Sequence, residues 1–519
     1  MLLPFTQSIL DGKRHNVIIQ SFQNFVRERL FPLSVPFGLQ ALVLMLPEPQ
    51  LKPDSVALRI QMGGGANPHF ARTRATNSKN ALGSLSLLVF LPRLPFVHRQ
   101  IPTPNPRYSD IFSHMNRRTF LSSLGAGAAV ALTRPQLQAD LAKMKITRVR
   151  FYQNPRSRPM FNQSFHIVTV ETDAGITGIG EGGSRDTIAE CAGMLIGDDP
   201  SRIDALWQLV YRGHFYPAGR EKLDALGALD LALWDIKGKA LGVPVYELLG
   251  GQSREHIECY STSFPKKGSL KETARACVEA GFRAFRTAVA EPPDGVTFNS
   301  HQMVRKTYDE CVEIREGVGK DGDWAIDYHT RLDLPDAIRL STLIEPLEPY
   351  FCEDLLRSEN TEVYRELRAH VKVPIAVGEQ FGDRWDVNRL VEQRLIDYAR
   401  VSIPNVGGIT EYKKITTLCE THYVGLIPHF TGPVGEAALA HVATTFSGPV
   451  LMEILGAGPA PEPHLPTCYD FRNGKIWPNR RPGLGVEFDP KPLQMVLEVT
   501  ERSRPIPLFH RPDGSMTNW

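Results

Sequence analysis

Apolar and polar positions along the 519-residue chain follow three successive periods. From residue 144 to 183 they alternate. "MKITRVRFYQ" and "FHIVTVETDAGITGIGEGG" read as half-buried strands, and Asp173-Ala174-Gly175 is a hairpin-type turn. From 186 to 249 the period becomes helical. "ALGALDLALWDIKGKALGVPVYELLG" carries apolar residues at helical spacing through Trp234, and Gly242 and Pro244 stop the helix. From His256 onward, short apolar runs alternate with helical stretches. The pattern predicts strands at His256–Tyr260, Arg283–Thr287, Trp324–Tyr328, Tyr350–Glu353, Ile375–Gly378, Tyr398–Ile403, Val424–Pro428 and Val450–Ile454. Helices fall between them, among them Leu270–Ala280, Gln302–Val318, Asp336–Glu345 and Glu436–Thr445. Eight strands with regular crossovers predict an α/β fold of the (β/α) TIM-barrel type over a doubly wound sheet. Residues 291–300, "EPPDGVTFNS", lengthen the second crossover and read as a loop inserted near the active face.

Three of the apolar runs end in a carboxylate: Asp327, Glu353 and Glu379, spaced 26 residues apart both times. In a barrel, strand ends converge on one face, so these acids point at a common centre. Left together they would repel one another. A divalent cation resolves this, and all-oxygen ligands favour Mg²⁺ over zinc. On a strand, residues two apart face the same way. His329 should therefore share the pocket with Asp327, where an imidazole can exchange a proton near neutral pH.

Composition narrows the class. A 42% hydrophobic and 22% charged chain is an ordinary globular one, and a net charge of +2 argues against a nucleic-acid footprint. Seven scattered cysteines without CxxC spacing suit free thiols. Residues 1–114 show no sustained period. They read as a weakly ordered extension, or as residues never made because translation starts at Met115. Residues 115–132, "MNRRTFLSSLGAGAAVAL", place Arg117 and Arg118 before a Gly/Ala-rich run too short to span a bilayer. This resembles a twin-arginine export signal and predicts a periplasmic protein; without it the protein would be cytoplasmic. The expected organisation is a signal and linker at 115–143, an α+β capping domain at 144–255, the barrel at 256–457, and a segment at 458–519, with a strand at Pro482–Asp489, that packs back on the capping domain.

The motifs "ALDLALWDIKGKALGVPVYELLGG", "GEQF", "NVGGIT", "PHFTGP" and "PGLGVEFD", spread from Met144 to Asp489, resemble the enolase superfamily in its mandelate racemase and muconate-lactonising branch. "IDYHTRL" resembles the mannonate- and galactonate-type sugar-acid dehydratases. The resemblance implies a modified barrel, Asp327, Glu353 and Glu379 as Mg²⁺ ligands, and His329 as the acid. The second strand carries Arg286 where lysine-based racemases have a base. Arginine stays protonated, so a lysine-driven racemase is disfavoured. Arg286 is either part of the catalytic group or a clamp for the metal-site acids. By the same resemblance His429 is the base, although Ser402 stands where an orienting carboxylate would be. Glu453 would hydrogen-bond the substrate carboxylate, or be a rim acid. His214 and Tyr216 would help the capping domain choose substrate, or belong to a structural loop.

The implied activity is that of a carbon–oxygen lyase: an Mg²⁺-dependent dehydratase that converts a small acid sugar (an aldonate) to a 2-keto-3-deoxy acid. The alternatives are a racemase or epimerase using the same enediolate, and a non-catalytic sugar-acid binder. No nucleic acid and no membrane span are expected, and a homo-oligomer is.

Overall fold

The computed structural model describes residues 144–156, 163–213, 215–466, 468–504 and 507–517, and the backbone of three strands between 41 and 74. The three are β1 (Ala41–Leu44), β2 (Ser55–Met62) and β3 (His69–Arg74), an antiparallel sheet within the unit formed by residues 1–114. The stretch 115–132, whose sequence resembles an export signal, and His214 lie outside the described residues. All other elements belong to the second unit, residues 115–519.

The alternating stretch folds as β4 (Ile146–Gln153), β5 (Ile167–Thr172) and β6 (Thr177–Glu181), paired antiparallel. Gly175 turns the β5–β6 hairpin at φ +75°, a conformation that suits a residue without Cβ. The helix Arg220–Leu241 lies across this sheet and ends at Gly242 in the left-handed conformation, φ +68°. Close approach explains the Gly-x-Gly of β6. A Cβ on Gly178 or Gly180 would come within 2.0 or 1.8 Å of the carbonyl oxygens of Ala232 and Ala228.

Three buried acids on that helix tie it to its neighbours. Asp224 accepts from the Gly183 amide (2.7 Å), Asp230 from the Thr410 amide (3.0 Å), and Asp235 from the amides of Ile179 (3.0 Å) and Leu484 (2.8 Å). Buried acids need such partners. These bonds fix the capping sheet and the tail against the barrel.

All eight barrel strands form: β7 (Ile257–Thr262), β8 (Ala284–Ala288), β9 (Asp323–Asp327), β10 (Phe351–Glu353), β11 (Ile375–Val377), β12 (Tyr398–Ala399), β13 (Gly425–Leu426) and β14 (Met452–Leu455). Neighbours pair in parallel from β7 to β13, β14 pairs with β7, and a parallel bridge from Leu426 to Val450 completes the ring. Inside, Tyr260 and Phe351 meet edge to face at 5.3 Å among Ala284, Ala325 and Ala376, so large and small residues fill the barrel together.

The tail differs from its sequence reading. No strand forms over 482–489, where Gly483 and Gly485 take φ +73° and +70°. The β15 (Asp470–Arg472) and β16 (Lys475–Trp477) hairpin instead pairs antiparallel with β7, and β17 (Gln494–Val499) adds to the capping sheet beside β4. All seven cysteines are free, six of them buried. Among the described residues no helix is long and apolar enough to cross a membrane.

Candidate active site at the barrel mouth

Register sets the site. In the β9–β10 pair Asp327 lies directly opposite Glu353. Glu353 in turn lies opposite Ala376 of β11, so Glu379 stands three residues beyond strand level, past Gly378 at φ +146°. One oxygen each of Glu353, Asp354 and Glu379 lie within 4.8 Å of one another, a grouping able to hold a metal ion. Asp354 was not anticipated from the sequence. It is buried, its backbone is at φ +40°, and its Oδ2 has no hydrogen-bond partner among the described residues. Non-glycine residues at positive φ often mark functional turns.

Asp327 joins this group through Arg286. The guanidinium Nη2 donates to Asp327 Oδ2 and to Glu353 Oε1 (3.2 Å), while Nε donates to Glu353 Oε2 (3.0 Å). Arg286 is thus a clamp on these two acids. Burial works against its charge, yet Glu353 and Asp327 hold it protonated above its ordinary value.

A second guanidinium, absent from the sequence reading, enters from Arg400, the residue directly after the end of β12. Arg400 has no exposed surface. Its Nε lies 2.5 Å from Glu353 Oε1, and its Nη2 lies 2.7 Å from Glu453 Oε2 and 3.7 Å from Glu379 Oε2. The signal was available: Arg400 is two residues before Ser402 within the predicted strand Tyr398–Ile403, where residues two apart share a face.

His329 and His429 flank Glu379. His329 Nε2 lies 3.8 Å from Oε1, and His429 Nε2 lies 3.4 Å from Oε2. His329 arrives differently from the expectation. β9 stops at Asp327, and His329 sits in a turn at φ +48°, its amide donating to Asp327 Oδ1 (2.6 Å). The turn, rather than strand alternation, brings it to the site. His329 is exposed at the mouth, whereas His429 is buried. The predicted loop at 291–300 approaches here, since Glu291 ion-pairs with Arg331.

Ser402 stands level with His429 along the chain: β12 and β13 pair with an offset of 27 residues (398 with 425, 399 with 426), and beyond them the His429 amide donates to the Val401 carbonyl (3.4 Å). Neither the Ser402 hydroxyl nor His429 Nδ1 has a hydrogen-bond partner among the described residues. Glu453 is not a rim acid. It is fully buried, accepting from Thr262 Oγ1 (2.5 Å), Arg400 Nη2 and the Phe430 amide (2.9 Å). Tyr216 is 76% exposed.

Electrostatics follow this wiring. Burial pushes Glu353 up to about 8 against the pull of Arg286 and Arg400, and Asp354 well above its ordinary value, with Glu379 adding repulsion. Burial would also raise Glu379 and Glu453. Cationic neighbours outweigh it: His429, Arg400 and His329 leave Glu379 below its usual value, and Arg400 and Arg286 take Glu453 down to about 2. Burial lowers His429 despite Glu379 beside it. Five carboxyl groups therefore face two guanidinium groups, with every candidate ligand an oxygen. That donor set and charge excess fit a hard divalent cation.

Two family descriptions cover this architecture. The mandelate racemase/muconate lactonizing enzyme N-terminal domain matches residues 146–250, and the enolase C-terminal domain-like family matches 269–492. The chain is 36% identical over 397 residues to D-galactonate dehydratase of Ralstonia pickettii, and 34% over 394 to that of Pectobacterium atrosepticum. Each match covers 72% of this chain and all of the relative. A solved enolase from Pantoea ananatis with bound D-gluconate and Mg superposes with a TM-score of 0.60 at 27% identity, over 67% of this chain and 93% of that one. A putative galactarate dehydratase from Agrobacterium radiobacter, bound to Na and L-malate, gives 0.61 at 29%, over 72% and 99%.

Proposed function

The chain belongs to the mandelate racemase/muconate-lactonizing branch of the enolase superfamily, and on that premise we propose that it is a hydro-lyase that dehydrates an aldonate. The dehydratase relatives, aligned over their whole length, support the reaction class. The observation that carries the mechanism is the pair of imidazoles on opposite oxygens of Glu379. Elimination of water needs a base for the proton beside the carboxylate and an acid for the β-hydroxyl.

Asp327, Glu353 and Glu379 would hold Mg²⁺, with Asp354 adjacent. When bound, the ion supplies Lewis-acid stabilisation of negative charge on the substrate carboxylate. His429 is buried, and burial favours its neutral form, so its Nε2 can take the α-proton. The C–H electrons move into the enediolate. The β C–O bond then breaks, and His329, exposed at the mouth, gives its proton to the departing hydroxyl. Water leaves, and the enol tautomerises to a 2-keto-3-deoxy acid. Arg286 stays protonated, clamped on Asp327 and Glu353, and takes no part as a base. Incubating the Mg²⁺-loaded protein with a panel of aldonates, D-galactonate and D-gluconate among them, tests this reading by formation of 2-keto-3-deoxy product.

A further inference from the structure

Asp327 and Glu353 close strands, β9 and β10, and the parallel ladder fixes both. Glu379 has no strand under it. It stands on the loop between β11 and the helix Arg384–Glu392. Bonds within the loop are few. The Phe381 amide donates to the Gly378 carbonyl (3.0 Å), and the Gly382 amide to Asp386 Oδ2 (2.8 Å). The remaining hold on this loop comes from the capping domain.

We propose that Tyr211 is a positioning residue for Glu379, clamping the 378–386 loop onto the capping domain and so coupling metal binding to capping-domain order. Tyr211 lies on the capping-domain helix Ile203–Arg212, and its hydroxyl donates to Asp383 Oδ2 (3.2 Å). The other oxygen of Asp383 accepts from the amides of Trp385 (3.0 Å) and Asp386 (3.4 Å), so this acid joins the loop to the helix that follows.

The Tyr211 ring is held as firmly as its hydroxyl. It stacks between Trp207 of its own helix (centroids 4.7 Å apart, planes at 17°) and Trp385 (5.8 Å, 17°). A cation closes each end of the column. Lys414 Nζ lies 5.1 Å from the Trp207 ring, and the Arg384 guanidinium 4.0 Å from that of Trp385. The Trp207 indole donates to the Gly407 carbonyl (2.7 Å), so the column is anchored on the barrel at both ends. Trp385 is 52% exposed, and burial alone does not account for its place there. A second contact lies closer to Glu379. A Cβ on Gly382 would come within 3.1 Å of Leu223 Cδ1 and 3.2 Å of Arg220 Cγ, so the helix Arg220–Leu241 presses directly on the loop.

Coupling of this kind is reciprocal. If the capping domain orders the loop for the ion, the ion must order the capping domain to the same extent. The helix Ile203–Arg212 holds none of the candidate ligands, so a response there to Mg²⁺ has to pass through the loop.

This assignment rests on Glu379 as a Mg²⁺ ligand, so one arm of the experiment does without metal. In EDTA-treated protein, hydrogen–deuterium exchange is followed in peptides spanning 378–388. Tyr211→Phe keeps the stacked ring and removes the hydroxyl. Trp385→Leu keeps the hydroxyl bond and interrupts the column at an exposed position. Each should speed exchange in these peptides by about three- to tenfold, the factor that one hydrogen bond commands. In the second arm the probe is Mg²⁺ alone. Calorimetric titration should show its affinity reduced about three- to tenfold in Tyr211→Phe. Mg²⁺ should slow exchange in peptides spanning 203–213 of the unaltered protein, and do so less in Tyr211→Phe. Unchanged exchange at 378–388 in both variants overturns the clamp. Unchanged Mg²⁺ affinity in both, or no response to Mg²⁺ at 203–213 in an unaltered protein that binds it, overturns the coupling. If the unaltered protein binds no Mg²⁺, the metal reading of Glu379 fails, and exchange at 378–388 still decides whether Tyr211 orders the loop.

Discussion

Arg400 Nη2 lies 2.7 Å from Glu453 Oε2, and neither side chain has any exposed surface. Breaking such a buried pair leaves an uncompensated charge, a loss of about 3–5 kcal/mol. Arg400→Met should therefore lower the denaturation midpoint strongly, because Glu353 and Glu453 both lose a cation. Thermal or urea unfolding checks this, and a change within about 0.5 kcal/mol, the range of ordinary surface substitutions, would show that the pair carries no charge burden.

Metal binding is the second expectation. Calorimetric titration of EDTA-stripped protein should show one Mg²⁺ per chain. Glu353→Gln, Glu379→Gln and Asp327→Asn should each weaken binding by more than about 100-fold, whereas Asp354→Asn, beside the ligands, should cost about 10- to 100-fold. If Asp354→Asn abolishes binding and Asp327→Asn leaves it intact, the ion is held by Glu353, Asp354 and Glu379, the three that lie closest together.

That rivalry shows where sequence reading stopped. The eight barrel strands were legible because each is an apolar run between turn residues, and Asp327, Glu353 and Glu379 were legible because each closes one. The equal 26-residue spacing was less informative than it looked. It equals the strand register only for Asp327 and Glu353; β10 and β11 pair with an offset of 23, which leaves Glu379 on a loop. Asp354 and Arg400 were missed for a common reason. A charged residue next to a strand end ordinarily faces solvent, and only tertiary pairing shows that these two are buried. The tail strand was misplaced because "PGLGVEFD" alternates in sequence, while Gly483 and Gly485 turn its backbone left-handed.

Two buried acids join the barrel to the capping domain and to the C-terminal segment. Glu181 accepts from the Gly435 amide (2.9 Å) at the start of the helix Pro433–Thr445, and Glu436 accepts from Tyr469. Burial pushes both up to about 8 from an ordinary 4.5. A carboxyl with a raised folded pKa binds its proton more tightly when folded. Its stabilisation is complete below pH 4.5 and is lost as pH rises through about 8. The melting temperature should fall across that window, and Glu181→Gln, which cannot ionise, should flatten the fall. A gain of a few degrees over the unaltered protein at pH 8 and none at pH 5 is expected, on the scale of roughly 2–4 °C per kcal/mol. Parallel curves for the two proteins would contradict it.

Export is the fourth expectation. The Arg117-Arg118 pair after Met115 should direct the folded chain across the inner membrane. Replacing both arginines by lysine should retain the protein in the cytoplasm, and mass spectrometry should find no peptide from residues 1–114. An unchanged location after the replacement would contradict export, and peptides from 1–114 would contradict a start at Met115.

In the proposed mechanism the two histidines divide one reaction between them, and α-proton exchange in deuterated water, followed by NMR on an aldonate that the protein accepts, tests that division most directly. His329→Asn should stop water loss yet leave some exchange at the α-carbon. His429→Asn should abolish both, each defect on the order of 10²–10⁴ in rate. The unaltered protein should show exchange coupled to loss of water. Full exchange in His429→Asn would remove that residue as the base. Exchange without water loss in the unaltered protein would make it an epimerase, and neither exchange nor loss with any aldonate would contradict the account.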